Sequence, residues 1–129
     1  MPQPPPVPVL DHTALVLLGR GDRRLSAIVA GATAADGRID VPVLCLIAAE
    51  AQQHGVADHV GALPVFHPVD VPFSDARTLG RLVGHGVDWP VAQAAMCARP
   101  SVEWPTGRPV LTCAPETYDG FGVRVVPIR

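Results

Sequence analysis

The chain reads as an α/β domain, a parallel sheet flanked by helices. Two observations predict this. Short apolar runs alternate with stretches whose apolar residues recur at helical spacing, the pattern of strand–helix units. The chain is also 129 residues long, 48% apolar and 17% charged, which suffices for one core and is too apolar for a disordered segment. Aromatic residues are few, so Val, Leu, Ala and Ile must fill that core.

Taken in order, Pro2, Pro4, Pro5, Pro6 and Pro8 predict an extended lead-in over residues 1–6, before a single domain over 7–129. Val7–Leu10 reads as the first strand and runs into a short helix from Asp11 to about Gly19. Asp22 or Gly21 caps a second helix with Leu25, Ile28 and Val29 as its apolar stripe, and Gly31 to Gly37 reads as a loop or frayed end. Ile39–Val41 reads as a strand. Pro42 has no N–H for a central ladder and marks its end. A helix over Val43–His54 follows, closed by Gly55, and then a short helical piece over Val56–Leu63. Pro64–His67 reads as a short strand. Ser74 is expected to cap a helix carrying Ala76, Leu79, Leu82 and Val83, and Asp88 to cap an alanine-rich helix ending near Ala98, with Pro90 in its first turn. Val110–Thr112 is a strand, Pro115–Tyr118 a turn, and Val123–Ile128 the last strand, placed at a sheet edge by Pro127.

Composition narrows function. All ten cations are arginine, and the net charge of −2 carries no basic footprint for nucleic acid. Cys45, Cys97 and Cys113 are odd in number and widely spaced, so free thiols are expected rather than a disulfide framework or a zinc site. The N-terminus has no positively charged region of a signal peptide and no apolar run could span a bilayer, so a cytoplasmic protein with no membrane partner is expected. No G-x-G-x-x-G or P-loop motif is present, which argues against the common nucleotide-binding loops.

Ligands of open α/β sheets bind beyond the carboxyl ends of the strands. Asp11 falls there directly after the first strand, and Asp88 opens a helix after a loop. Hard cations such as Mg²⁺ take oxygen ligands and keep several waters, so a few carboxylates suffice to hold one.

Val-Leu-Asp-His-Thr-Ala-Leu at 9–15, Val41-Pro42 before an apolar helix, Asp88 leading Ala92, Ala94 and Ala95, and Pro-Val-Leu-Thr at 109–112 before a final Val-Arg-Val-Val-Pro-Ile strand follow one another in order and spacing over nearly the whole chain. In this succession the sequence resembles the PIN-domain nucleases. The resemblance implies a three-layer α/β/α fold with a mostly parallel central sheet of four to five strands. It implies Mg²⁺- or Mn²⁺-dependent ribonuclease chemistry, often as the toxin of a toxin–antitoxin pair. RNA, a small antitoxin protein and a second copy of the chain are then the expected partners. Asp11 and Asp88 match metal-binding, catalytic acids, and Thr13 matches the neighbouring hydroxyl.

Two positions depart from the family pattern. Ala48 stands where the helix after the second strand usually carries Glu, and Glu50 lies about 200° around that helix from it. Ala114 stands two residues after Thr112, where the family often has Asp. Glu116 and Asp119 are the nearby acids that could substitute. The alternative expectation is therefore a non-catalytic PIN-like module that binds protein or RNA, its acids serving as helix caps.

Other polar residues have ordinary readings. Glu50 and His54 form an i,i+4 pair on a polar helix face. Arg20, Arg23 and Arg24, near the first helix end, form a solvated patch or contact RNA phosphates. Trp89 packs under its loop or stacks a base, and Trp104 anchors a loop rich in Pro and Gly.

Overall fold

The computed structural model describes residues 7–128. The expected proline-rich lead-in over 1–6 lies outside the described residues. Five strands and six α-helices alternate. In chain order these are β1 (Val9–Leu10), α1 (His12–Gly19), α2 (Arg23–Ala34), β2 (Ile39–Pro42), α3 (Val43–Gln52), α4 (Val56–Gly61), β3 (Phe66–Val69), α5 (Ala76–Gly84), α6 (Trp89–Ala98), β4 (Val110–Thr112) and β5 (Val125–Pro127). Single 3₁₀ turns occupy Phe73–Asp75 and Pro115–Tyr118.

The sheet order is β3-β2-β1-β4-β5, and every pairing is parallel. Crossovers between parallel strands are right-handed. The chain moves outward from β1 to β2 to β3, then returns to β4 on the far side of β1. Helices α1–α4 therefore cover one face and α5–α6 the other, a three-layer α/β/α arrangement. The packing of α1 against α2, α3 and α4, and of α5 against α6, follows this division, while α3 and α6 also meet each other across the layers.

The central strand β1 is fully buried, as a strand covered on both faces must be. Leu10, Leu15, Leu25, Ile39, Val41, Val56, Val60 and Val110 form the core around it. Burying one such side chain contributes about 2 kcal/mol. Both edge strands carry proline, Pro68 in β3 and Pro127 in β5. Proline removes a ladder donor and blunts an edge against further pairing.

Local signals decide several element ends. Asp22 Oδ1 accepts from the Leu25 N–H at 3.0 Å, the cap expected for α2. Helix α2 continues to Ala34, beyond the expected break at Gly31, and Ala32 past that glycine still packs against the core. Ser74 does not cap α5. It lies inside the Phe73–Asp75 turn, and the helix begins at Ala76 without a side-chain cap. Strand β3 runs Phe66–Val69 rather than Pro64–His67, since Ile39 pairs with Phe66 and Pro42 with Val69.

Candidate functional site

Asp11 sits at the carboxyl end of β1 and is fully buried. As N-cap of α1, its Oδ1 accepts from the Ala14 N–H at 3.0 Å and from the Thr13 hydroxyl at 2.6 Å. Its Oδ2 accepts from the Tyr118 hydroxyl at 2.8 Å. Tyr118 is buried and arrives from the Pro115–Tyr118 turn, 107 residues away in sequence.

The rest of the cluster is a directional relay. The proton of the Thr13 hydroxyl goes to Asp11, so in the 3.2 Å contact between Thr13 and Thr112 it is Thr112 that donates. The Thr13 oxygen also accepts from the Cys113 N–H at 2.8 Å, and the Thr112 oxygen from the Ala114 N–H at 3.0 Å. Backbone donors after β4 thus feed two hydroxyls that end on the Asp11 carboxylate. Every group is paired, which is what a buried polar network requires.

Burial and the adjacent Asp11 carboxylate push the Tyr118 hydroxyl far above its ordinary range, with the bond to Asp11 acting in the same direction. Burial, then the charge of Asp11, also push the Cys45 thiol up. Cys45 donates instead to the Pro90 carbonyl at 3.2 Å, tying α3 to the start of α6. Among the described residues, His12 Nδ1 is a buried ring nitrogen without a partner.

Among the described residues, none of the other expected acids bonds to the Asp11 cluster. Asp88 is exposed, makes no cap bond to α6, and lines a hollow of about 250 Å³ with Val87, Val91, Thr117 and Phe121. Glu50 accepts from the Gly55 N–H at 2.9 Å and the Ala57 N–H at 2.8 Å, and pairs with His54 at 2.9 Å. It therefore secures the turn into α4. Those two amides, more than His54, hold its carboxyl below the usual range. Glu116 and Asp119 flank Tyr118 and are exposed.

A Mg²⁺ or Mn²⁺ ion needs carboxylate oxygens open to it. Asp11 is fully buried, and each of its oxygens already accepts from a protein donor, Oδ1 from two and Oδ2 from Tyr118. Among the described residues, no three His, Cys, Asp or Glu side chains form a group that could hold a metal ion. The donor set does not fit the ion that the family resemblance implies.

Sequence reasoning missed a second polar centre. Asp40, buried in the middle of β2, accepts from Arg38 at 2.8 Å and pairs with Arg108 just ahead of β4. Arg108 also donates through Nε and Nη2 to the Cys97 carbonyl at 2.9 and 2.7 Å and lies over the Trp104 ring at 5.6 Å. Gln93, also buried, donates to the Val69 carbonyl at 2.9 Å and accepts from the Leu44 N–H at 2.7 Å. The available signal was Arg38 and Asp40 at strand spacing, which puts both on one face of a strand otherwise apolar.

No protein-family model and no curated protein sequence matches the chain. Among the described residues, no helix is long and apolar enough to cross a membrane.

Proposed function

We propose that this chain is a PIN-like module that acts by binding a protein or RNA partner and not by metal-dependent cleavage. One observation carries the reading: the Asp11 carboxylate is fully buried and both its oxygens are engaged, by Thr13, Ala14 and Tyr118. In a metal-dependent nuclease those oxygens would face an ion that activates water. Here they hold a tyrosine that pins the segment after β4 to the carboxyl end of β1. Ala48 and Ala114, at the positions of the missing acids, support the same reading.

The metal-dependent ribonuclease reading retains one support. Asp11 and Thr13 stand beyond the carboxyl end of the central strand, where parallel sheets bind ligands. Calorimetric titration with Mn²⁺, beside incubation of labelled single-stranded RNA with protein and Mn²⁺, separates the two. The expected result is no saturable Mn²⁺ binding at millimolar metal and intact RNA. Saturable binding abolished in Asp11→Asn, or RNA cleavage abolished in the same variant, overturns the binding-module reading and restores the nuclease with its Mg²⁺ or Mn²⁺ site.

A further inference from the structure

On the face covered by α5 and α6, a cavity of about 800 Å³ opens beside β2 and β3. It shares no lining residue with the Asp11 cluster. Its size lies within the range of small-molecule sites.

The cavity carries both signs of charge, unevenly placed. Arg38, Arg99 and Arg108 line the side nearer the start of β2 together with Asp40 and Glu103, Asp75 lies near enough to Cys97 to raise its thiol, and Asp70 stands alone at the end beyond β3. Ile39 pairs with Phe66, so Arg38 and Asp70 are five residues apart along the strands, or about 16 Å. Val69, Leu79 and Met96 supply apolar wall between them.

The charges are only partly used within the protein. Asp40 neutralises one guanidinium and is shared by two. Arg38 spends Nε and Nη2 on it, leaving Nη1. Among the described residues Arg99 has no carboxylate partner, and Asp70 and Asp75 accept no hydrogen bond. A buried ion pair stabilises a fold little more than a well-packed apolar pair of the same volume, so stability alone gives no reason for Asp40 and Arg108.

The arginine end is also held rigid. Trp104 O accepts from the Ser101 and Gly107 amides, Trp104 N donates to Ser101 Oγ, and Arg108 N donates to the Ala98 carbonyl. Gly107 has φ +75°, and a Cβ there would lie 2.5 Å from the Ala98 carbonyl oxygen. Only glycine permits this approach, which sets Arg108 over Trp104.

We propose that the cavity binds a nucleoside monophosphate bearing an exocyclic amino group. The phosphate sits on Arg38 and Arg99, beside the Arg108–Asp40 pair. Guanidinium groups match phosphate geometry and bind it with charge-assisted hydrogen bonds. The flat base lies along Val69, Leu79 and Met96, and its amino group donates to Asp70 at the end beyond β3. An anionic head, a flat body and an N–H tail match the two ends and the wall between them.

Trp104 fluorescence reads occupancy directly, in a Trp89→Phe background that leaves Trp104 as the single tryptophan. AMP and CMP are the probes. The expected result is saturable change with both, weakened about tenfold in Arg99→Ala by loss of one charge-assisted contact. Arg99 is exposed, so that variant keeps the fold. Adenosine should bind at least tenfold more weakly than AMP, and UMP, which lacks the amino group, more weakly than CMP. No saturable change at millimolar AMP and CMP, adenosine equal to AMP, or unaltered affinity in Arg99→Ala overturns the proposal. UMP equal to CMP overturns the assignment of Asp70. Neither metal binding nor RNA cleavage enters these readouts, so this site and the reading of Asp11 stand or fall separately.

Discussion

Asp11 and Asp40 lie on neighbouring parallel strands, both buried, each held by partners distant in sequence. Their surroundings are finished differently. Asp11 receives a backbone amide, a threonine and a tyrosine within a buried network, with the His12 ring nitrogen beside it as the unpartnered atom. Asp40 receives two arginines, and beyond them the wall opens into a cavity lined by further charged side chains, Arg99, Glu103, Asp70 and Asp75. A closed polar centre holds structure together, whereas a centre with spare donors is equipped to take a ligand. In this fold the position expected for chemistry is the closed one.

Substitutions can break that contrast, beginning where the largest loss is expected. Arg108→Ala strands Asp40 in the core with one partner and should cost about 4 kcal/mol, read from chemical denaturation. Replacing both partners, Asp40→Leu with Arg108→Met, should restore most of that loss while abolishing ligand-dependent Trp104 fluorescence. If the double variant stays as unstable as the single one, the pair holds the fold, and the contrast with Asp11 disappears.

Asp11→Ala removes a helix cap and leaves Tyr118 and Thr13 without their acceptor. The expected cost is about 3 kcal/mol, seen as a lower denaturation midpoint with AMP affinity per folded molecule unchanged. Tyr118→Phe leaves one buried carboxylate oxygen without a donor and should cost about 2 kcal/mol. Arg99→Ala, on the open side, should change stability by no more than about 0.5 kcal/mol and act on binding alone.

Tyr118 is the single tyrosine, so an alkaline absorbance titration reports the closed centre without mutation. Its folded pKa is raised above the unfolded value of about 10. The stability it contributes is therefore fully present below pH 10 and is lost as pH rises beyond it. The native chain should show no phenolate signal until it unfolds, while the denatured chain titrates near pH 10. A normal native titration would mean that the Asp11 centre is open.

The acid side offers the smallest effect. Glu50, whose carboxyl is held below 4.5 by the Gly55 and Ala57 amides, stabilises the turn into α4 above that pH. The contribution should fade as pH falls through the lowered folded value, followed as earlier fraying of α4 amides by hydrogen exchange.

Much of the frame was legible because its signals are local. Asp22 announces α2, Pro42 closes β2, Pro127 places β5 at an edge, and Asp11 falls at the end of β1 because an apolar run stops there. Ser74 misled because a cap residue signals a helix start only where the helix begins on the next residue, and the Phe73–Asp75 turn intervenes. The Asp11 lock and the Asp40 pair were hidden for a different reason. Tyr118 and Arg108 stand 107 and 68 residues from their partners, and no periodicity records such a meeting.

Gln93 carries one further consequence, for the order in which the chain can mature. Helix α3 starts at Pro42, which has no side chain able to cap it, and the Leu44 amide is satisfied by Gln93 from α6. That residue leaves the ribosome 49 positions later. Until α6 is made and docked, the first turn of α3 must rely on water. The leading turn of α3 is thereby tied to the docking of α6, a helix encoded much later in the chain.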